Sequence, residues 1–484
     1  MGVRELGLRM RNLRKLNCSK VVSLQDSDLF VIGNSFPLLE DLDISFPQYY
    51  SRFNPNGSLA LASFSGVVTD EGIFDLAMKL NRLCKINLSG NHFITDKSLQ
   101  SLSSNCALLR EVVILDCDFL TQNGISVIMR NCGNLCSISL DSLGIPYIDS
   151  FFQESFSYAK TLCELHVSNS FISNEFLCLI GEACLPLKKL TISQCYNFTA
   201  VGISCLLYRC QFLVYLDLEG ANFLTDESII ELSKLLGNLS IINLSLCSKL
   251  TSLSLFALIK NCPLLEDVKM ERTNLGVEEF STDLRTNLGV EEFSTDLVIN
   301  PRIRSLKLTG NNSLSDECLK NIALCCPHLQ LLEISYCPTI TEEGVKEVLK
   351  NCSEIRNLEM NRCTGIKNLD INFKVPKLEV LQVQGPAIDD EALAIIAKRC
   401  QRLSHLNLEG CLNVTAKGVK EVVQNCTRLR EINLKWCDNV KANIVSYMVC
   451  SRPSLRKIIP PCEFFPTDEH TRFFLRHGCL VCKV

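Results

Sequence analysis

Between Cys400 and Cys437 the sequence CQRLSHLNLEGCLNVTAKGVKEVVQNCTRLREINLKWC holds one complete unit and the first half of the next. Cys400, Leu403, Leu406, Leu408, Cys411 and Val414 recur as Cys426, Leu429, Ile432, Leu434, Cys437 and Val440, each 26 residues later. A fixed period of this length restricts the chain to a stack of small similar units, each burying its apolar face against its neighbours.

The two halves of the unit carry different periodicities. In LSHLNLEGC, Leu406 and Leu408 alternate with Asn407 and Glu409, the period of two expected of a strand with one buried and one open face. In VTAKGVKEVVQNC, the apolar residues Val419, Val422, Val423 and Cys426 fall three or four apart, which predicts an amphipathic helix. Thr415 stands where its hydroxyl can accept from an orphan backbone N–H of the first helical turn. Strand, loop and capped helix then repeat, so successive strands run parallel.

Repeats open near Met10, Phe36, Leu80, Cys106, Cys132, Ala159, Cys184, Cys210, Leu236, Cys262, Asn300, Cys326, Cys352, Val375, Cys400 and Cys426, with a degenerate one near Cys450. Helix caps recur at one offset: Thr69, Thr95, Thr121, Thr199, Thr225, Thr251, Ser315, Thr341 and Thr415. The chain contains 28 cysteines, and their positions argue against a disulfide scaffold. Most open a repeat or, like Cys117, Cys195, Cys247, Cys337, Cys363, Cys411 and Cys437, close a strand. Such thiols read as small buried side chains whose S–H serves a nearby carbonyl in a reducing compartment. Asn91 and Asn311 take the strand-closing slot in two repeats, as inward groups that hydrogen-bond the following loop.

The pattern C-x-x-L-x-x-L-x-L-x-x-C-x-x-I/V-T-x-x-G/S-L/V resembles the cysteine-containing leucine-rich repeat, and the resemblance covers nearly the whole chain. This subclass is typical of F-box/leucine-rich-repeat proteins, the substrate receptors of SCF-type ubiquitin ligases. The resemblance implies a right-handed α/β solenoid of about 16 repeats, a horseshoe with a parallel sheet on its concave face and helices on its convex face. The solenoid is expected over residues 1–458 and a C-terminal cap over 459–484, where Phe464, Phe465, Phe473 and Phe474 offer apolar surface to close the last repeat. The N-terminal residues before LRKLNCS lack the length of an F-box, so adaptor binding cannot be carried to any residue here.

Three places break the spacing. An insertion loop at 46–64 carries Tyr49, Tyr50, Arg52 and Phe53, either as a tolerated surface insertion or as a rim that contacts a partner. Within 272–297 the segment RTNLGVEEFSTDL occurs twice in tandem. The repeat from Cys352 to Val375 has an abbreviated helix half.

A formal net charge of -4 and a pI near 6.0 give no basic footprint for nucleic acid or anionic lipid. No apolar run is long enough to cross a bilayer, and charges occupy the N-terminus where a signal peptide needs apolar residues, which points to an intracellular protein of cytoplasm or nucleus. The histidines are scattered and no HExxH, G-x-S-x-G or phosphate-cradling loop occurs, so a non-catalytic protein is expected, with no cofactor. The lone Cys479-Leu-Val-Cys482 is read as a buried tail and no metal is expected.

What remains is a recognition surface. Alternation places the non-leucine strand positions on the concave face; they are small and polar early in the chain (Ser45, Asn87, Ser89, Asn243, Ser245) and larger towards its end. The expected partner-binding residues are Glu333, Tyr336, Glu359, Arg362, His405, Glu409, Lys435 and Trp436. Trp436 reads either as an anchor for a partner or as packing for the cap. The expected role is to hold a protein substrate for an SCF-type ligase, with SCF subunits as partners only if an F-box is supplied; a stand-alone scaffold or regulator is the alternative.

Overall fold

The computed structural model describes residues 5, 9–21, 23–47, 67–142, 149–276, 298–367, 369, 371–385 and 388–482, which form two compact units, Met1–Ala221 and Asn222–Val484. The first unit stacks strands β1 (Lys15–Asn17), β2 (Asp41–Asp43), β3 (Lys85–Asn87), β4 (Glu111–Ile114), β5 (Ser137–Asp141), β6 (Glu164–Ser168), β7 (Lys189–Ser193) and β8 (Tyr215–Asp217). Its helices are α1 (Asp26–Ser35), α2 (Asp70–Lys79), α3 (Asp96–Asn105), α4 (Gln122–Asn131), α5 (Ser150–Tyr158), α6 (Asn174–Glu182) and α7 (Ala200–Arg209).

The second unit contains β9 (Ile241–Asn243), β10 (Asp267–Lys269), β11 (Ser305–Lys307), β12 (Leu331–Glu333), β13 (Asn357–Glu359), β14 (Val380–Gln382), β15 (His405–Asn407), β16 (Glu431–Asn433), β17 (Lys457–Ile459) and β18 (Leu480–Val481). Its helices are α8 (Asp226–Ser233), α9 (Ser252–Asn261), α10 (Asp316–Cys325), α11 (Glu342–Asn351), α12 (Asp390–Arg399), α13 (Ala416–Asn425), α14 (Ile444–Ser451) and α15 (Asp468–Arg476). Within each unit every strand pairs in parallel with the next, as a leucine-rich-repeat solenoid requires. Each expected repeat supplies its strand, the remnant near Cys450 supplies β17, and the tail adds β18 in register (Lys457↔Leu480).

The breaks in spacing leave the strand ladders intact. Asp41 pairs directly with Lys85 across the insertion, and Asp267 with Ser305 across the tandem copy. Tyr49, Tyr50, Arg52 and Phe53, and residues 277–297 of the duplication, lie outside the described residues. In the short repeat, Leu369 and Ile371 are buried at 0% and 1% exposure.

The cysteines are free, and most of those in repeat slots are buried. Strand-closing thiols donate to carbonyls of the preceding repeat: Cys437 Sγ lies 2.9 Å from Leu408 O, Cys411 Sγ 3.2 Å from Val383 O and Cys337 Sγ 3.4 Å from Leu308 O. Burial pushes the Cys106, Cys352 and Cys400 thiols up to about 12, so these groups stay protonated and unreactive. Asn311 extends the same logic, its Nδ2 donating to Met270 O and Leu308 O at 2.8 Å each while its Oδ1 accepts from the Thr273 backbone and hydroxyl. Cys184 departs from the pattern. It is exposed with φ 50°, because α6 ends one residue early and Leu185 takes the buried place.

All nine expected caps accept a backbone N–H of the following helix. A second contact joins most of these caps to the previous repeat. The first residue of a helix, usually Asp, accepts from the next cap: Asp70 from Thr95 N–H (2.8 Å) and hydroxyl (2.7 Å), Asp316 from Thr341 (2.9 and 2.5 Å), Asp390 from Thr415 (2.8 and 2.5 Å). This ladder explains why the third residue after a cap is so often Gly or Ser. A Cβ at Gly72, Gly124, Gly344 or Gly418 would collide with the carboxylate of the preceding repeat, whereas Ser98 and Ser254 donate to it instead. Burial raises the Asp70 carboxyl, but the hydrogen bonds from Ser98 and Thr95 outweigh it and hold the group below the usual carboxylate range.

Candidate protein-binding face

On the open face of each sheet, register sets neighbouring charges side by side. In the first unit Lys15 meets Asp41 at 3.4 Å, Lys85 meets Glu111, and Lys189 meets Glu164 at 2.7 Å. These pairs cancel one another across adjacent strands. The small polar residues expected to lie open are in part covered: Ser45, Ser89, Asn243 and Ser245 are buried at 1–6% exposure. Their hydrogen bonds go into the repeat itself. Asn87 Oδ1 accepts from the Ser89 backbone and hydroxyl, and Asn243 Oδ1 from Ser245 N–H.

The same turn ends strands elsewhere. Asn17, Asp43, Asp217, Asn407 and Asn433 each accept the N–H two residues on, closing the strand with a side-chain turn. Three residues after that strand position, whatever residue fills it, the backbone turns left-handed. The slot holds Lys20, Phe46, Asp116, Ser142, Asn169, Gln194, Leu246, Arg272, Tyr336, Arg362 and Trp436, or glycine at Gly90, Gly220, Gly310, Gly385 and Gly410, all with φ between 45° and 108°. A non-glycine residue there costs about 1–2 kcal/mol. The neighbouring repeat holds it in place, for the slot's N–H donates across to the next chain turn, as from Tyr336 to Asn361 O at 2.8 Å and from Arg362 to Gln384 O at 2.9 Å.

Three of the expected binding residues, Tyr336, Arg362 and Trp436, occupy this slot. Tyr336 and Trp436 are 51% and 48% exposed. The Arg362 guanidinium lies 5.8 Å from the centre of the Tyr336 ring, and Lys435 Nζ 4.4 Å from that of Trp436. In the cap, the buried rings are Phe464 and Phe474, 6.1 Å apart, while Phe465 is 80% exposed and takes no part in closing the last repeat. Trp436→Gly is therefore expected to change stability by no more than about 1 kcal/mol, since relief of the left-handed strain offsets the lost half-exposed ring. Thermal unfolding by circular dichroism reads this, and a loss of several kcal/mol would mean that Trp436 is a core residue after all.

Glu333, Glu359, His405 and Glu409 lie on the open face of β12–β15 and the turn after it. Glu333 and Glu359 stand opposite each other in register, and Lys307 pairs with Glu333 at 2.8 Å. Burial, then the neighbouring Glu333, pushes the Glu359 carboxyl above the usual range, against a smaller pull from Lys307. Glu409 accepts from Asn433 Nδ2 at 3.0 Å. His405 Nε2 lies 3.8 Å from Glu431, which also meets Lys457 at 3.4 Å. Across β13–β17 these rows enclose a shallow depression of about 400 Å³ lined by Glu359, Gln382, His405, Asn407, Glu431, Asn433 and Lys457, with Val380, Leu381, Leu406, Ile432 and Ile459 as its apolar parts. Asn357 completes the rim beside Glu359. Of this lining, sequence reading found Glu359 and His405 and missed Glu431, Lys457 and the amides Gln382, Asn407 and Asn433. The signal was present in the period, which sets those three side chains on adjacent strands.

Among the described residues, His92, Asp116 and Asp118 could bring ligand atoms within 4.8 Å of one another, with His92 Nδ1 3.0 Å from Asp118. No helix among the described residues is long and apolar enough to cross a membrane.

Comparison with known proteins agrees with this architecture. Residues 325–349 match the family described as Leucine Rich repeat. "F-box protein SKIP19" of Arabidopsis thaliana is 32% identical over 120 residues, 24% of this chain and 39% of that protein. "Putative F-box/LRR-repeat protein 23" of the same plant is 29% identical over 125 residues, covering 24% and 28%. "BTB/POZ domain-containing protein FBL11", also from Arabidopsis thaliana, is 23% identical over 431 residues, 84% of this chain and 43% of that protein. The chain thus spans less than half the length of these curated relatives. Among solved structures, "Crystal structure of Rad7 and Elc1 complex in yeast" has a TM-score of 0.47 at 17% identity, over 77% of this chain and 80% of that one. By its repeat pattern and its parallel ladders the chain is a leucine-rich-repeat solenoid, and over part of its length it is similar to plant F-box and F-box/LRR-repeat proteins.

Proposed function

We propose that this protein recognises another protein on the strand face of its second unit and presents it, as the substrate-holding part of an SCF-type ubiquitin ligase receptor, for degradation. The reading is non-catalytic: the chain supplies grip, and other subunits would carry out ubiquitin transfer in the cytoplasm or nucleus. The observation that carries it is the depression across β13–β17, where polar side chains from adjacent strands are gathered, including the Glu359 carboxylate, unpaired among the described residues, and the Asn407 amide nitrogen that its turn leaves over. Curated relatives bearing the F-box name support the ligase connection.

Asn407→Arg tests the reading, because it places a long cation in the middle of the depression without touching the leucine ladder. Proteins captured by the intact chain and lost from the N407R chain should accumulate in cells when this protein is removed or the proteasome is inhibited. Capture that survives N407R would move recognition to another surface. Captured proteins whose abundance stays constant would make the chain a scaffold.

A further inference from the structure

The depression carries an uneven charge, and this singles out what it can hold. Of its charged lining residues, Glu431 is answered by Lys457 at 3.4 Å and approached by His405. Lys307 is held by Glu333 at 2.8 Å. Among the described residues no cation lies within ion-pair distance of Glu359, whose carboxylate is half-buried beside the like charge of Glu333. A carboxylate so placed has lost part of its hydration with nothing in exchange, and it gains most from an incoming cation.

The groups beside it suit a peptide backbone. Asn407 Oδ1 is fixed by the Glu409 N–H at 3.0 Å, which leaves its amide nitrogen, without a partner among the described residues, as a set donor. Gln382 stands between Asn407 and Glu359 in strand register, and Asn433 follows Asn407 on the next strand. From Glu359 to Asn433 is three strand spacings, about 14 Å, the reach of roughly four residues of extended chain.

We propose that the depression binds an extended segment of a partner protein carrying one lysine or arginine, whose cation pairs with Glu359 while its backbone lies along Gln382 and Asn407 towards Asn433. The inference rests on the recognition reading above and adds to it the chemistry of the segment recognised. It excludes acidic segments, which would meet Glu333 and Glu359 with like charge.

A phage-displayed library of random seven-residue peptides, selected on the full chain, tests this. Enriched sequences should share a lysine or arginine at one position, and in synthetic copies a norleucine at that position should weaken binding by about tenfold, measured by fluorescence polarisation. In the Glu359→Gln chain, with its melting temperature checked against the parent, that difference should vanish. Three results would each overturn the inference: no enrichment, enrichment without a shared cation, or cationic peptides that bind the E359Q chain as tightly as the parent. Cation-free peptides lost from the N407R chain would leave the recognition reading standing. Peptides indifferent to both substitutions would remove both.

Discussion

Phe176→Ala is expected to destabilise the first unit by about 3–5 kcal/mol. Phe176 on α6 is 1% exposed and meets two phenylalanines of α5, stacking on Phe152 at 6.2 Å and meeting Phe156 edge-on at 6.0 Å. Phe152 and Phe156 are themselves 5.2 Å apart and T-shaped. These rings fill the core of repeats in which Ala159 stands in the opening slot that cysteine fills in many others. Alanine would remove the ring's transfer energy and both ring contacts, and it would leave a cavity that a stacked core cannot collapse to fill. In a solenoid each unit leans only on its neighbours, so the loss should also broaden the unfolding transition or split it. Urea unfolding followed by circular dichroism measures both effects. Phe176→Leu, which keeps most of the volume, should cost no more than about 1.5 kcal/mol. Equal losses for the two variants would mean that the aromatic contacts contribute nothing of their own.

Asp390→Ala should cost about 2–4 kcal/mol in the second unit, through a different mechanism. Its carboxylate accepts from Thr415 N–H at 2.8 Å, the Thr415 hydroxyl at 2.5 Å and Gly418 N–H at 3.0 Å. All three donors sit at the start of α13, where backbone N–H groups have no partner within the helix. Removing the acceptor leaves them partly buried and unanswered, and it removes a negative charge from the positive end of two helices. The molecule contains its own control. At the equivalent place in the first unit Asn174 accepts from Thr199 N–H at 2.9 Å, so Asp390→Asn should retain much of the contact and lose about 1 kcal/mol. Trp436, the only tryptophan, lies in the turn after β16 and reports unfolding of these repeats by its fluorescence. If the alanine and asparagine variants prove equally stable, the ladder between caps is ornamental.

Much of the fold was legible because one period carried several independent signals. Leucine spacing, thiol slots and Thr caps all named the same strand and helix, and the structure places them together. What could not be read depended on contacts between repeats. The Asp of the cap ladder bonds a residue 25 positions away, although the recurring pairs Thr69–Asp70, Thr95–Asp96 and Thr225–Asp226 were visible in the chain. The left-handed slot was hidden because glycine fills it only in a minority of repeats, while Phe46, Leu246 and Trp436 sit there against their own preference. The exposure of Cys184 and the burial of Ser45 and Ser245 follow from local helix length and side-chain turns, which a pattern of apolar positions does not record. Across the depression, Glu359 and His405 stood out by type, while Glu431 and Lys457 did not. That Lys307 answers Glu333 and leaves Glu359 unanswered needed the strand register.

The left-handed slot bears on how such a surface can change over time. At Lys20, Leu246, Tyr336 and Arg362 its geometry is held from outside, by a backbone bond to the adjoining repeat, rather than by the side chain's own preference. Tyrosine, arginine, leucine and lysine are all tolerated there within one molecule. A lineage could therefore exchange these residues one repeat at a time, changing the chemistry of this face while the scaffold beneath stays the same.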